Sequence, residues 1–304
     1  MAGRLKPLLD RLNRARDSRW AKDHLLWVEA FALFNFLCLT LDIYLAHSTN
    51  QFRRSSEYIP LYFSAVAPFV LGVGLVARER FKYAAVWRDL GYLVGWVSIL
   101  IGLAGVILHL DSRFFYDRTI KSLTYAAPFA APLAYTGLGL LLVLNRMVRA
   151  ETAAWAYWVL LLALGGFFGN FVFSLTDHAT NGFFRAVEWL PVVTSAFAIS
   201  FLLAPFLVRV TRRYLLLCAL VLFLQAFVGV LGFFYHTAAD IEGPSSSAFE
   251  NIVHGAPPLA PLLFPNLVLL GLIALWVLSR HLPEDEAAQV AEGEGVQVEA
   301  GQVP

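Results

Sequence analysis

Residues 47–60 read HSTNQFRRSSEYIP, and residues 178–191 read HATNGFFRAVEWLP. The two stretches align without a gap, with identity at His47/His178, Thr49/Thr180, Asn50/Asn181, Phe52/Phe183, Arg54/Arg185, Glu57/Glu188 and Pro60/Pro191. Chance gives about one identity in such a window, so an internal repeat is the better reading. A second pair of stretches supports it: Gly102, Gly105 and His109 recur as Gly229, Gly232 and His236 in the pattern GxxGxxxH. Residues 128–133 and 257–262 also share PxxAPL.

These motifs sit between long apolar runs. With 59% hydrophobic and only 15% charged residues, the composition lies outside soluble globular usage, and the bilayer is the solvent to reason with. Runs near 25–46, 60–77, 90–110, 122–144, 154–175, 189–208, 214–235 and 258–279 approach the roughly 20 residues that a helix needs to cross a hydrocarbon core. Backbone polar groups in lipid must be satisfied within the segment, so these runs predict helices. The expected fold is all-α: a polytopic membrane protein of eight transmembrane helices, arranged as two tandem four-helix repeats. An even number of spans per copy inserts both copies the same way up, related by a pseudo-two-fold axis along the membrane normal.

The expected organisation is a basic amphipathic interfacial segment over 1–23, repeat 1 over 24–150, repeat 2 over 151–282, and an acidic, disordered cytoplasmic tail over 283–304. Leu5, Leu8, Leu9 and Leu12 fall on one stripe opposite arginines, which suits a helix on an anionic surface. The tail carries acids and no base, with little to bury. Taking the amino terminus as cytoplasmic leaves only Arg53, Arg54, Arg113, Arg118, Lys121 and Arg185 outside, so the charge bias places both termini in the cytoplasm of an inner-membrane protein. Trp20, Trp27, Trp87, Trp155, Trp158 and Trp276 then mark the inner interface and Trp189 the outer. Cys38 and Cys218 lie in apolar runs without CxxC spacing, at depths expected to differ by about 10 Å, beyond disulfide reach. Zinc-ribbon and iron–sulfur ligand sets are lacking, and nothing in the charge pattern points to nucleic acid.

The repeat puts His47, His109, His178 and His236 at the outer ends of odd-numbered spans. Carboxylates gather around them: Asp42 near His47, Asp111 near His109, Asp177 near His178, with Asp240 and Glu242 after His236, and His254 adds a fifth imidazole in the last outer loop. Imidazole is a common ligand for zinc, copper and haem iron, and a neighbouring carboxylate fixes its tautomer. The four histidines are therefore the expected cofactor or metal ligands, with Asp42, Asp111, Asp177, Asn50 and Asn181 in support. Gly102 and Gly105, like Gly229 and Gly232, share the face of the histidine that follows, a flat recess that would suit a porphyrin. The plain alternatives are that small residues let helices approach and that end-of-helix histidines bind loop carbonyls or headgroups. In the loop motif, Pro60 and Pro191 suit a first helical turn, and Glu57 and Glu188 favour a helix start or pair with Arg54 and Arg185. Asp42 must face the bundle, where Asn35 is the expected partner; Asn170 and Asp177 repeat that spacing. Phe114 to Tyr116, Phe183 with Phe184, and Phe233 to Tyr235 read as an outer aromatic belt.

The first functional expectation is a haem or transition-metal site on the outer side, for redox chemistry on a lipophilic substrate such as a quinone. A zinc-dependent membrane hydrolase is its nearest variant. A transporter of a small neutral or apolar solute is the rival, weakened because the cytoplasmic halves of the spans offer Gln225 and Asn145 as isolated polar residues. A non-catalytic lipid-binding or assembly role is the third. The plan of two four-helix halves with paired outer histidines resembles haem A synthase in architecture. In that family the histidines open even-numbered helices, whereas these close odd-numbered ones, so neither activity nor residues are carried over.

Overall fold

The computed structural model describes residues 23–282. The expected amphipathic segment, apart from Asp23, and the expected acidic tail lie outside the described residues. Among the described residues every regular element is helical, in the order α1 (His24–Ser48), α2 (Tyr58–Phe81), α3 (Ala84–Asp111), the short α4 (Phe114–Asp117) and α5 (Ile120–Thr124), α6 (Leu133–Met147), α7 (Ala153–Thr180), α8 (Trp189–Leu207), α9 (Arg212–Ile241), the short α10 (Ala248–His254) and α11 (Leu263–Ser279). Single 3-10 turns over Ser55–Glu57, Ala186–Glu188 and Ala260–Leu262 lead into α2, α8 and α11. Side-chain oxygens of Asp23, Thr152 and Thr211 accept backbone N–H groups at the starts of α1, α7 and α9, which satisfies donors that a helix start leaves open.

Among the described residues, seven helices are long and apolar enough to cross a membrane. The fourth apolar run differs from its expectation over 122–144. The chain leaves helix after Thr124 and resumes it at Leu133, leaving a 15-residue apolar helix. At 1.5 Å per residue that is about 22 Å, against a hydrocarbon core of about 30 Å. Pro128 and Pro132 cause the break, since proline lacks an N–H and pushes its predecessor out of the α region.

Helices α1, α2, α3 and α6 pack in sequence, and so do α7, α8, α9 and α11, with α7 closing against α11. The two groups meet where α6 packs on α7 and α1 on α11. One apolar core runs through the second group around Trp155, Leu160, Phe167, Leu222 and Leu275. A smaller one in the first group holds Phe36, Leu71, Val94, Tyr135 and Leu142. Phe34, Phe69, Leu100 and Phe227 are exposed instead, as suits a surface solvated by acyl chains. Between α3 and α6 the backbones nearly touch: a Cβ on Gly139 would lie 2.4 Å from the Gly95 carbonyl oxygen.

Polar ties hold the groups in register. Asn35 of α1 and Asn266 of α11 exchange side-chain amide hydrogen bonds of 3.1 and 2.5 Å. Asn35 also donates to the Phe31 carbonyl at 2.8 Å, so its expected bond to Asp42 is replaced by a bridge to the other half of the chain. At the end opposite the histidines, Arg146 of α6 grips Glu29 of α1 through both guanidinium nitrogens, at 2.7 and 3.0 Å. Both side chains are almost fully buried. Asn145 donates to Glu29 at 3.3 Å and accepts the Trp155 indole N–H at 3.0 Å. The guanidinium lies 4.4 Å from the Trp87 ring centre and fills the space over Gly91, where a Cβ would come within 1.7 Å of Nε. Trp155, expected in an interfacial belt, is a core residue with no exposed surface, because its N–H has this buried partner.

Candidate functional site

Each half of the chain builds the same small structure at the histidine end. Helix α1 stops just after His47, and the chain turns through Gln51 and Phe52 at φ of 60° and 50°; α7 stops just after His178, and Gly182 and Phe183 follow at 74° and 53°. Left-handed backbone at two successive residues folds the chain back on the helix, so Phe52 N–H donates to the His47 carbonyl and Phe183 N–H to that of His178, both at 3.1 Å. Glycine enters that conformation freely and glutamine only when held there. The Asn50 and Asn181 side chains accept the same Phe52 and Phe183 N–H groups at 3.2 and 3.3 Å. The two asparagines thus close the turn.

The folded-back phenylalanines lie beside the imidazoles. Phe52 is 5.8 Å from the His47 ring and stacks at 4.7 Å on Tyr58, while Phe183 is 6.1 Å from His178 and stacks at 3.9 Å on Trp189. The 3-10 turn that follows swings a glutamate under each histidine. Glu57 Oε2 lies 3.6 Å from His47 Nδ1, and Glu188 Oε2 lies 3.9 Å from His178 Nδ1. Both carboxylate oxygens are buried without a hydrogen-bond partner. Asn50 donates to the other Glu57 oxygen at 3.1 Å.

The second histidine of each half is fixed by a proline carbonyl. His109 Nδ1 is 2.9 Å from Pro128 O, and His236 Nδ1 is 2.8 Å from Pro257 O. A carbonyl only accepts, so Nδ1 carries the proton and, in the neutral ring, Nε2 keeps the lone pair. The residue before each proline anchors the same loop: Ala127 N–H donates to Ser112 Oγ at 2.9 Å and Ala256 N–H to Asp240 Oδ1 at 3.0 Å.

The rings pair within each half. His47 and His109 have ring centres 6.2 Å apart with planes at 78°, and His178 and His236 are 6.3 Å apart at 86°. All four sequence-predicted histidines are thus brought together two by two. Of the predicted carboxylates, Asp111 meets Arg54 at 3.8 Å and Asp177 lies within electrostatic range of His178 and His236, while Glu57 and Glu188 approach the Nδ1 atoms of His47 and His178. The sequence signal for them was present, since each follows its histidine by the same spacing in both copies. The recess expected over the glycines is filled. A Cβ on Gly102 or Gly105 would fall 2.2 Å from Thr136 Oγ1 or 2.7 Å from Pro132 Cβ, and on Gly229 or Gly232 2.6 Å from Pro261 O or 2.9 Å from its Cβ. These glycines admit a neighbouring helix at close range and leave no flat surface beneath the ring.

Among the described residues no cluster of three or more His, Cys, Asp or Glu side chains is arranged to hold a metal ion. The chain is matched by no protein-family model, no curated protein and no solved structure.

Proposed function

We propose that the chain is an inner-membrane protein of eight spans in two tandem copies, with α6 as the short fourth span, and that each copy holds one haem iron between its paired histidines. The termini are cytoplasmic in this reading and the histidine end faces outward. The observation that carries it is the ring separation. A metal–imidazole bond is about 2.0 Å and the ring centre lies about 1.2 Å further on, so two trans imidazoles put their centres about 6.4 Å apart, whereas two tetrahedral ligands put them about 5 Å apart. Separations of 6.2 and 6.3 Å leave room for one metal ion between the rings, so His47 with His109 and His178 with His236 would hold the iron, which would supply one-electron chemistry there. Zinc needs three or four protein ligands, whereas a haem would ask the protein for two imidazoles and would have to lie outside the glycine recesses, which Pro132 and Pro261 fill. The Nδ1–H to carbonyl bonds of His109 and His236 are the kind of outer support that would orient a metal-binding imidazole.

A lipophilic redox partner such as a quinone fits the surroundings. An open apolar groove between α1 and α2, lined by Leu37, Leu41, Tyr44, Leu61 and Phe69, ends one helical turn below His47. The test is the optical spectrum and metal content of the full chain purified from haem-replete cells. The reading expects haem bands that shift on reduction, and a colourless, metal-free preparation overturns it in favour of histidines that merely staple loops to helix ends.

A further inference from the structure

Beyond the end of α9 the chain folds back through α10 and encloses a half-open cavity of about 320 Å³. Asp240, Ser245, Glu250, Asn251 and His254 line it. The Asn251 side chain is spent on the wall itself, accepting from Ser245 N–H and donating to Ser245 O, each at 3.0 Å. His254 Nε2 lies 3.5 Å from Glu250 Oε2. Asp240 is 5% exposed. One of its oxygens accepts from Ala256 N–H, and Oδ2 is buried without a partner.

A buried carboxylate oxygen without a donor carries its full desolvation cost. The segment supplies no remedy, because no Lys or Arg occurs between Arg213 and Arg280. The corresponding loop of the first half, by contrast, carries Arg113, Arg118 and Lys121. We propose that this cavity binds a primary ammonium group, supplied by a free amine or by an ethanolamine lipid headgroup at the same depth. The three N–H donors of such a group answer the free Asp240 oxygen and the Glu250 carboxylate. A metal ion is a poorer match, since no three-ligand cluster exists among the described residues. A quaternary ammonium is also poorer, since no Phe, Tyr or Trp lines the cavity and recognition of such cations relies on aromatic faces.

The test uses the full chain in phosphatidylglycerol nanodiscs, titrated with ethanolamine while the thermal midpoint is read. Ethanolamine should raise the midpoint saturably, while tetramethylammonium and calcium at equal concentration should not. Glu250→Gln, at an exposed position, should raise the half-saturating concentration about tenfold, and Asp240→Asn should abolish the response. Nanodiscs containing phosphatidylethanolamine separate the sources: a midpoint raised by the lipid alone assigns the headgroup, and one raised by ethanolamine as well assigns any primary amine. No response of the unaltered chain to either source overturns the proposal. An undiminished response in Glu250→Gln, or an equal shift with tetramethylammonium or calcium, overturns it as well. Should Asp240→Asn fail to fold, Glu250→Gln still decides.

Discussion

The two ends of the bundle treat the two halves of the chain differently. At the histidine end the halves share the same pairings: His47 and His178 over Glu57 and Glu188, and His109 and His236 on the carbonyls of Pro128 and Pro257. At the opposite end they diverge. The positions that hold Glu29, Arg146, Asn145 and Gly91 in the first half align with Leu160, Leu275, Ala274 and Cys218 in the second, all buried in its apolar core. An ion pair and a hydrophobic plug of similar size are near-equivalent solutions to filling a helix junction, so packing alone leaves the choice open. The four histidines and their immediate partners recur in both halves, whereas the outer loops around them differ, anchored by Ser112 in one and Asp240 in the other.

Breaking the ion pair gives the largest effect on folding. Glu29→Ala alone leaves Arg146 buried without its partner and should cost about 3–5 kcal/mol, read as loss of the folded fraction in a denaturation series. The double variant Glu29→Leu, Arg146→Leu copies the second half and should recover most of that loss. If it does not, the two junctions are not interchangeable, and the comparison between the ends fails. Next in size is Gly229→Ala, whose Cβ would meet the Pro265 ring at 2.4 Å and Pro261 O at 2.6 Å. Overpacking of that kind should cost about 1–3 kcal/mol, whereas Gly165→Ala, with nothing within 4 Å, should leave the thermal midpoint unchanged or raise it slightly. The smallest effect is that of Asn35→Ala, which removes the bridge to Asn266. Buried side-chain bonds between membrane helices average about 0.6 kcal/mol, so a loss well above 2 kcal/mol would mean that the bridge does more than join the halves.

Legibility followed sequence separation and chemistry. The apolar runs and the gapless His47/His178 motif announced a helical membrane protein and named the histidines that come together, because both signals are local. Proline chemistry was equally local, yet the break before α6 was read as continuous span, since apolar composition masked Pro128 and Pro132. Glu57 and Glu188 stand at one spacing from His47 and His178 in both copies, but their approach to the imidazoles depends on a turn through left-handed Gln51 and Phe52, which no propensity requires. Glu29 and Arg146 are far apart in the chain, and Arg146 reads as an ordinary basic residue at a membrane edge until α1 and α6 are packed. The glycine pattern was real, but whether it admits a ligand or a helix depends on what stands opposite, and Pro132 and Pro261 stand there.

The central claim, one iron between two imidazoles in each half, is tested most directly by the iron-to-protein ratio of four purified chains. The unaltered protein should carry about two irons, the double variants His47→Ala, His109→Ala and His178→Ala, His236→Ala about one each, and the quadruple variant none, because each double variant removes both imidazoles of one half and a single remaining histidine can still hold haem iron. An unaltered protein without iron, or double variants that retain its full content, would contradict it.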